Sequence, residues 1–437
     1  MLNINNSDIE KSDIIVDGET LYFDITLIRK PMDCPYCGGK MIGHGHKLKL
    51  IKHPAVRASN GIIRYNANRY ICKICGKTAF EKNPFALQGL NSSVFLLQQA
   101  MDRLSNLNYT LHDISKELNI SSTQLNTYID SYIVVPPRSL PESLGIDELY
   151  NKSLSRRGSS YLCVLVDNKH HNLYDILDTR NKHLLSLYFS KFSREERSKV
   201  KYVTIDMWEP YRDVAKTYFP NCIVAVDPFH VISHLHSGFK ALRIRLMNKC
   251  EYNSNAYYLL KRWHKLLTYD DAKLDNTPVY NKRFQMKLNK RALLEMIFNT
   301  FPELEKAYQL KEIYRNMNKN YTYEKAFEHY DIIVNEFKRS GIREYDEFID
   351  ILCTWKEEIL NSFLRPYNDR KLSNAYTESF NNKLRTYLTV SKGISNFERF
   401  RKRVLYAECS NIRYVIRKNL LSCKRPGCKR GSYEKHK

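Results

Sequence analysis

The pattern of apolar and polar positions changes along the chain and predicts unlike structural regions. Residues 1–90 combine short β-prone runs, such as Ile62–Tyr65, with many glycines. Residues 92–134 instead carry leucines at helical spacing. Prolines within 136–141 then interrupt the helical pattern, because proline disfavours helical backbone at its own position and at the preceding residue. We therefore expect a boundary near this proline-rich stretch.

From residue 144 onward, short apolar runs separated by polar turns predict β-strands. The five predicted strands are Leu144–Ile146, Tyr161–Val166, Leu173–Leu177, Tyr202–Ile205 and Ile223–Val226. Helical patterns at Leu184–Phe192 and Tyr211–Tyr218 lie between the later strands. Three near-adjacent strands followed by alternating helices and strands predict a mixed α/β sheet. Amphipathic helical patterns occupy about 233–370, and a last helix is predicted to start near Tyr376.

Charge and composition exclude several classes of protein. The chain has 437 residues, 70 Lys+Arg against 47 Asp+Glu and a formal net charge of +23, which indicates a polyanionic partner, most simply nucleic acid. A content of 27% charged and 43% hydrophobic residues excludes a disordered tail. No stretch approaches the roughly 18 apolar residues of a spanning helix, and the polar, acidic start lacks a signal peptide. We expect a cytoplasmic protein without a membrane partner.

Two cysteine pairs predict a structural zinc site. Cys34 and Cys37 form one pair, and Cys72 and Cys75, followed by Gly76, form the second. A two-residue gap lets one tight turn direct both sulfurs at the same ion, and four thiolates close a tetrahedral Zn²⁺ site. The alternatives are four unrelated cysteines or a redox pair. Lysines and arginines around this predicted zinc ribbon favour a role in binding DNA.

A helix-turn-helix is predicted directly after the zinc ribbon. Leu111–Leu118 reads as a short amphipathic helix, and Ser122 is predicted to cap a second helix, Thr123–Tyr132. In a major groove the start of that second helix would place four polar side chains near base edges. These side chains are Ser122, Thr123, Gln124 and Asn126. Two helices of an ordinary bundle are the alternative.

Three acidic residues are predicted to lie at the edge of the α/β region. Asp147 is expected to close the first strand and Asp206 the fourth, while Glu378 opens the last helix. Acids at the carboxyl ends of strands project into the crevice where open α/β sheets bind ligands. Such a set suits two Mg²⁺ (or Mn²⁺) ions about 4 Å apart, the arrangement used for in-line phosphoryl displacement. Each aspartate alone is equally explained as a turn or capping residue.

These motifs in this order resemble a known family. The segments are IDE at 146–148, IDMWEPY at 205–211, VDPFHV at 226–231, TESFNNKLR at 377–385 and GISNFERFR at 393–401. Over roughly residues 30–412 the chain resembles the DDE transposases of bacterial insertion sequences, ISL-three family. The resemblance implies a multidomain α/β protein. Its ribonuclease-H-like catalytic core would be interrupted by an all-α insertion and preceded by the zinc ribbon and the helix-turn-helix.

The resemblance also implies a division of the chain. The expected regions are a zinc-ribbon DNA-binding region at 1–90, a helix-turn-helix at 91–137, the first part of the core at 138–232, the insertion at 233–370, the final helix of the core at 371–412 and a basic tail at 413–437.

By the same resemblance Asp147, Asp206 and Glu378 form the catalytic triad, with Asp227 as the rival of Asp206. The implied reaction is metal-dependent cleavage at the element ends, followed by transfer of the new 3′-OH to target DNA. The implied partners are terminal inverted repeats and target DNA, bound by a homodimer or larger assembly.

Further side chains are expected to support the site or to bind DNA. His230 is expected to support Asp206 or to contact a phosphate, with a packed, hydrogen-bonded histidine as the alternative. Asn374 and Asn382 are expected to orient Glu378. Trp208 is expected to stack on an unpaired base, with a core role as the alternative. The predicted phosphate contacts near the last helix are Arg385, Arg399, Arg401, Lys402 and Arg403.

Two other functions stay open from the sequence alone. One is a catalytically silent DNA-binding regulator derived from a transposase. The other is a different ribonuclease-H-like endonuclease. A full set of three acids argues against the first, and the zinc ribbon with the helix-turn-helix argues against the second.

Overall fold

A computed structural model describes residues 4–55, 60–87, 89–156, 158–268, 274, 277–391 and 394–416. The chain divides into two compact units. The first contains Met1–Pro137 and Leu384–Lys437, and the second contains Arg138–Lys383. Most of the basic tail expected at 413–437, namely residues 417–437, lies outside the described residues.

The elements follow in chain order. The strands are β1 Ile9–Asp17, β2 Thr20–Leu27, β3 Met41–His53, β4 Asn60–Cys72, β5 Thr78–Phe80, β6 Ile133–Val134, β7 Ser143–Tyr150, β8 Tyr161–Asp167, β9 Asn172–Leu177, β10 Tyr202–Ile205, β11 Ile223–Val226, β12 Val279–Asn281, β13 Met286–Leu288 and β14 Arg413–Tyr414. The helices are α1 Val94–Leu104, α2 Leu111–Glu117, α3 Ser122–Tyr132, α4 Lys182–Phe189, α5 Arg194–Arg197, α6 Glu209–Tyr218, α7 Pro228–Lys249, α8 Asn255–Arg262, α9 Lys290–Thr300, α10 Pro302–Asn320, α11 Tyr323–Ser340, α12 Asp346–Thr354, α13 Lys356–Asn361, α14 Ala375–Val390 and α15 Phe397–Glu408.

The first unit begins with a five-stranded sheet in the order β1-β2-β4-β3, with β5 also paired to β4. A two-residue turn joins β1 to β2, and Gly18 at its first central position has φ +55°. That turn position requires a positive φ, which glycine adopts without a steric penalty. Phe23, Ile25, Ile63 and Tyr65 form the small core on one face of the sheet.

Three helices follow the sheet, and their boundaries come from side-chain caps. Thr110 and Asp113 form a reciprocal capping box at the start of α2. The side chain of Ser121, not the predicted Ser122, accepts the Gln124 N–H and caps α3. The prediction of the cap was therefore wrong by one residue, because the turn at Asn119 is one residue shorter than the pattern suggested and Asn119 adopts φ 48°.

A mixed five-stranded sheet organises the second unit, as the strand pattern predicted. Its order is β11-β10-β7-β8-β9. The strands β7, β8 and β9 are antiparallel neighbours, while β10 runs parallel to both β7 and β11. All five predicted strands lie within the observed ones. The first strand continues past its predicted end to Tyr150, because its ladder with β8 extends to the pair Tyr150 and Tyr161. Asp147 therefore lies inside β7 rather than at its end.

The region predicted as an all-α insertion needs two corrections. Helix α7 begins at Pro228, so the expected boundary at 232 falls inside one continuous helix. Proline at the first position of a helix is favourable, since that residue needs no backbone donor. The region also contains the short antiparallel hairpin β12–β13. Gln285 in the turn of this hairpin has φ 53°.

One continuous hydrophobic core joins the sheet and the helices of the second unit. It includes Leu144, Ile146, Val203 and Ile205 from the sheet, together with many residues of α7 to α13. Asn361 at the end of α13 donates to the backbone oxygen of Val224 at 2.9 Å, which ties this helix to β11. The helical region is thus packed onto the sheet as part of the same core. None of the described helices is long and apolar enough to cross a membrane.

Candidate active site and metal centre

The four predicted cysteine ligands converge at the ends of β3 and β4. Cys34 Sγ lies 3.6 Å from Cys75 Sγ, and Cys37 Sγ lies 3.5 Å from Cys72 Sγ. Tetrahedral Zn²⁺ with Zn–S bonds of about 2.3 Å requires S···S distances of about 3.8 Å. The separations are much longer than the roughly 2.05 Å of a disulfide. The donor set and its spacing therefore fit one zinc ion.

Two equivalent turns hold these sulfurs. The Gly38 N–H donates to Cys34 O, and the Gly76 N–H donates to Cys72 O, each at 2.9 Å. Both glycines have positive φ, +75° and +66°. Gly76 is the turn glycine that the sequence predicted, and Gly38 takes the equivalent position in the first turn. Backbone N–H groups of Cys75 and Ile74 lower the pKa of Cys72 to about 7, which favours the thiolate that a metal binds.

Three aspartates form a row across the parallel strands of the second unit. Thr204 of β10 pairs with Gly145 of β7, so the same register places Asp206 beside Asp147. Ile205 pairs with Val226 of β11, which places Asp206 beside Asp227 as well. Aligned positions on neighbouring strands project toward the same face of a sheet. The sheet register thus places Asp206, the predicted second acid, between Asp147 on one side and its rival Asp227 on the other.

The start of α14 lies over this row. Asn374, just before the helix, donates its backbone N–H to Asp227 Oδ1 at 3.2 Å and its side-chain amide to Ile146 O at 3.0 Å. Asn381 donates its side-chain amide to Asp147 Oδ2 at 2.8 Å. Glu378 lies four residues after Asn374 and three before Asn381, which places it on the same helix face. Glu378 is half-buried on the helix that contacts the row, and its place in the site stays a prediction.

The two asparagines predicted to orient Glu378 differ in exposure. Asn374 is 1% exposed and fixes the entry of α14. Asn382 is exposed, and its support of Glu378 stays a prediction. Its neighbour Asn381, which the sequence pattern did not single out, is fully buried and donates to Asp147. One residue along a helix turns the side chain by about 100°, so the two neighbours face different sides.

Burial and mutual repulsion disfavour the charged forms of the aspartates. Burial raises the pKa of Asp147 to about 6, and the nearby Asp227 and Glu148 add to this shift. Burial also raises the pKa of Asp206 to about 7, with Glu148 and Asp147 adding to it. The His230 Nδ1–H donates to Asp227 Oδ2 at 3.2 Å, and this hydrogen bond raises the pKa of His230 to about 9. The cluster carries more negative charge than its one histidine neutralises.

The oxygens of the acids differ in what they already bind. Asp227 is 2% exposed, and both of its oxygens have partners, in Asn374 and His230. Asp206 Oδ1 is buried and has no hydrogen-bond partner among the described residues. Among those residues, the four cysteines alone form a group of three or more Cys, His, Asp or Glu side chains whose ligand atoms all lie within 4.8 Å of one another. The carboxylates of Asp147, Asp206 and Glu378 therefore do not form such a group.

Beside the aspartate row, Glu148 and Trp208 are held by Arg180. Arg180 forms an ion pair with Glu148 and lies 4.7 Å from the ring centroid of Trp208. The indole also packs edge-on against Tyr211, with centroids 4.6 Å apart. Trp208 is half-buried, so one part of its ring remains at the surface. Its predicted stacking on a base stays a prediction.

In the first unit the predicted DNA-contact residues divide into two groups. Ser122 and Thr123 are exposed and Asn126 is half-buried, but Gln124 turns inward and donates to Ser92 Oγ at 2.9 Å and to the Tyr128 hydroxyl at 2.8 Å. Its amide is thus engaged within the protein. The start of α3 offers its remaining polar side chains to a ligand.

The basic residues near α15 also differ in exposure. Arg385 is exposed, Lys402 is half-buried, and Arg401 lies 3.8 Å from Glu398. Arg399 forms a bidentate ion pair with Asp130 at 2.7–3.1 Å, which joins α15 to α3. Arg403 is 2% exposed, and its guanidinium donates to the Tyr387 hydroxyl and to backbone oxygens at Asn106 and Tyr109. The expectation that Arg403 contacts phosphate was therefore wrong, since its donors serve the protein interior.

Comparison with known proteins shows which family the chain belongs to. The sequence model of the family described as Transposase, for DDE transposases of the ISL-three type, matches residues 144–404. The match spans more than half of the 437 residues. The chain belongs to the ISL-three family of DDE transposases. A search of curated proteins found no match. The matched stretch of this transposase contains the aspartate row and Glu378, while the cysteine centre and α2–α3 precede it.

The cysteine centre predicts a simple metal stoichiometry. We expect the purified transposase to carry one zinc per chain and to lose it when Cys75 is replaced by serine, because three thiolates cannot close the tetrahedral site. Loss of zinc should also speed hydrogen exchange in β3 and β4, whose ends the metal joins. Elemental analysis and hydrogen-exchange mass spectrometry measure the two effects.

The matched control is Cys353→Ser, which removes an exposed cysteine of α12 in the second unit. This variant should keep both the zinc and the slow exchange of β3 and β4. A wild-type protein without bound metal, or equal metal loss in the two variants, would exclude the zinc centre.

Proposed function

We propose that this transposase binds the terminal inverted repeats of its insertion sequence and cuts and joins DNA strands with Asp147, Asp206 and Glu378 as metal ligands. The observation that carries the proposal is the aspartate row, covered by the helix that bears Glu378. Carboxylates gathered at low exposure without matching cations are costly, and such clusters occur mainly where a metal or a reaction needs them.

The sheet supports a ribonuclease-H-like core. Three antiparallel strands, β9, β8 and β7, are followed on the other side of β7 by two parallel strands, β10 and β11. In this interpretation the helices between β11 and α14 form the insertion. The regions 1–90 and 91–137 would serve as the zinc ribbon and the helix-turn-helix that read the repeats.

Asp206 is the better second ligand than Asp227. Asp227 is 2% exposed and holds Asn374 and His230 in place. Asp206 has a buried oxygen without a partner among the described residues and a pKa raised to about 7. A divalent cation satisfies that oxygen and offsets the repulsion from Asp147 and Glu148. In this arrangement Asp227 positions the start of α14 rather than binding metal.

Asp147, Asp206 and Glu378 would hold the two Mg²⁺ or Mn²⁺ ions of this proposal, since hard divalent cations prefer carboxylate oxygens. When bound, such ions would supply charge neutralisation for the phosphate and activation of the attacking oxygen.

The chain's own residues position and neutralise the reacting groups. Asn381 fixes one oxygen of Asp147, and the Glu148 N–H donates to the other oxygen at 2.7 Å. Protonated His230 lowers the repulsion within the row. Phosphate contacts in this proposal come from Arg385, Arg401 and Lys402, while Ser122, Thr123 and Asn126 approach base edges.

The first prediction concerns the reaction itself. Replacing Glu378 by glutamine should reduce Mg²⁺-dependent nicking and strand joining at the element ends by more than about 100-fold, since the loss of a direct ligand exceeds the effect of losing its support. Glu336→Gln, an exposed change on α11, should leave both activities unchanged. Tight binding to the ends without cleavage by the wild type would instead indicate a silent regulator. Nicks that never join a second DNA would indicate another nuclease.

A second prediction follows from the raised pKa values. For the metal-free protein, the contribution of Asp147 and Asp206 to stability is present at low pH and is lost as pH rises through about 6 and 7, because the folded state then holds two repelling charges. Mg²⁺ should therefore raise the melting temperature more at a pH above 7 than at a pH below 6. Thermal melts with and without Mg²⁺ test this.

The control for the melts is a pair of isosteric changes. Asp206→Asn should remove most of the Mg²⁺ effect above pH 7, whereas Asp213→Asn, an exposed acid paired with Lys182, should keep it. A Mg²⁺ effect that is equal at both pH values, or unchanged in Asp206→Asn, would contradict the assigned site.

A third prediction concerns Asn381. Asn381→Leu removes the donor to Asp147, so we expect the Mg²⁺ concentration for half-maximal cleavage to rise about 10- to 100-fold. The pH for half-maximal cleavage should rise as well, because the lost hydrogen bond favoured the charged carboxylate. Asn335→Leu, an exposed change on α11, should change neither quantity. Equal behaviour of the two variants would remove Asn381 from the site.

A further inference from the structure

The outer edge of β1 is an exposed surface that the transposase reaction leaves unused. In the sheet order β1-β2-β4-β3, β1 pairs with β2 on one side and with no described strand on the other. From Glu10 to Asp17 every residue is exposed, and Ile14, Ile15 and Val16 are 64%, 39% and 70% exposed. An edge strand with three consecutive β-branched apolar residues is a template for pairing with another strand.

The direction of the free backbone groups follows from the β1–β2 turn. Asp17 pairs with Thr20 across a two-residue loop, and such a closing pair exchanges hydrogen bonds between the two strands. The alternation then directs the backbone groups of Ser12, Ile14 and Val16 away from β2. The Ile14 N–H accordingly donates to the side chain of Asp13 at 2.8 Å rather than to the ladder.

The charge of this edge argues against DNA as its partner. Residues 8–19 contain five acidic residues and one lysine, in a chain whose net charge is +23. A phosphate backbone would be repelled by this hairpin. A protein strand is the better occupant. An isologous pairing of two copies closes without exposing a new edge, but it brings two acidic hairpins together and so favours a register in which Lys11 faces an acid of the other copy.

The sequence of β1 matches itself in one antiparallel register. With Ile14 opposite Ile14 of the second copy, Ser12 lies opposite Val16 and Lys11 lies opposite Asp17. The pair of Ile14 with Ile14 and the two pairs of Ser12 with Val16 are then hydrogen-bonded pairs. This agrees with the backbone groups of these residues, which point away from β2. Lys11 and Asp17 make two opposite-charge pairs, one on each side of the axis. The register shifted by one step, with Ile15 opposite Ile15, would place Asp13 opposite Asp17, and these like-charged pairs would offset the pairing of Lys11 with Glu19.

The same register extends an apolar face. Ile14 lies beside Phe23, and Val16 beside Leu21, in the β1–β2 ladder. Phe23 is 6% exposed and belongs to the small core of this sheet, whereas Ile14 lies beyond that core. Two copies joined at Ile14 would cover the apolar side chains that each leaves exposed.

We propose that β1 is a self-association surface, through which two copies of this transposase pair β1 to β1 in antiparallel fashion about Ile14, with Lys11 of each copy opposite Asp17 of the other. The pairing needs neither DNA nor the catalytic metal, so it stands or falls separately from the proposed reaction.

Charge reversal of the two partners tests the register directly. Lys11→Glu should raise the dimer dissociation constant of the full-length, zinc-loaded protein about tenfold, because two attractive cross-strand pairs become repulsive. Asp17→Lys should have a similar effect. The double variant Lys11→Glu with Asp17→Lys should restore the wild-type constant to within about threefold. Sedimentation equilibrium without DNA measures the constants, and zinc content with circular dichroism verifies folding.

The opposite edge of the sheet supplies the matched control. Leu48→Lys changes a side chain of β3 that is 54% exposed, and it should leave the dimer intact. A wild type that stays monomeric at all concentrations overturns the proposal. So does a double variant that associates no better than the single ones. A wild type that forms chains of increasing length, which Leu48→Lys abolishes, would also overturn the proposal. That result would show that the acidic β1 edge of one copy pairs with the basic β3 edge of the next.

Discussion

The second unit depends on the cost of placing several carboxylates side by side in a protein interior. The register of β7, β10 and β11 aligns Asp147, Asp206 and Asp227, and burial raises the pKa of the first two. Local groups offset part of this cost: Asn381 donates to Asp147, and Asn374 with His230 holds Asp227. One buried oxygen of Asp206 has no hydrogen-bond partner among the described residues. The divalent cations of the proposed reaction would satisfy that oxygen and offset the repulsion within the row.

The sheet of the first unit has a small apolar core, with eight buried residues in its main cluster among the described residues. A zinc ion held by the four cysteines, whose sulfurs lie 3.5–3.6 Å apart in pairs, would join its loops more firmly than this core does. The helices of this unit are in turn joined by ion pairs and buried polar contacts. Arg399 connects α15 to α3, and Arg403 satisfies backbone oxygens at the end of α1 and before α2. Arginines that the sequence suggested for DNA thus include two that stabilise the protein.

The predictions that succeeded rest on local signals. Alternating apolar runs identified all five strands of the mixed sheet, and the two-residue cysteine spacing identified a set of side chains that meet in space. The misplacements arose where a distant partner decides the outcome. β7 continues to Tyr150 because β8 pairs with it, and Gln124 turns inward because Ser92 and Tyr128 accept its amide. The sequence pattern did not single out Asn381, because only the docked helix shows which face of α14 points toward the aspartates.

The sequence by itself determined the types of chemistry present: paired thiols, three acids following the pattern of a known family, and an excess of positive charge. These depend on residue identity and short-range spacing, which do not require the chain to fold. Tertiary structure alone decided which acid has a free oxygen, which asparagine supports the site, and which arginines reach solvent. Those outcomes depend on strand register and helix docking, where a shift of one residue reverses the side that a side chain faces. The physical reason is that burial and pairing, not residue type, set the free energy of a charged group.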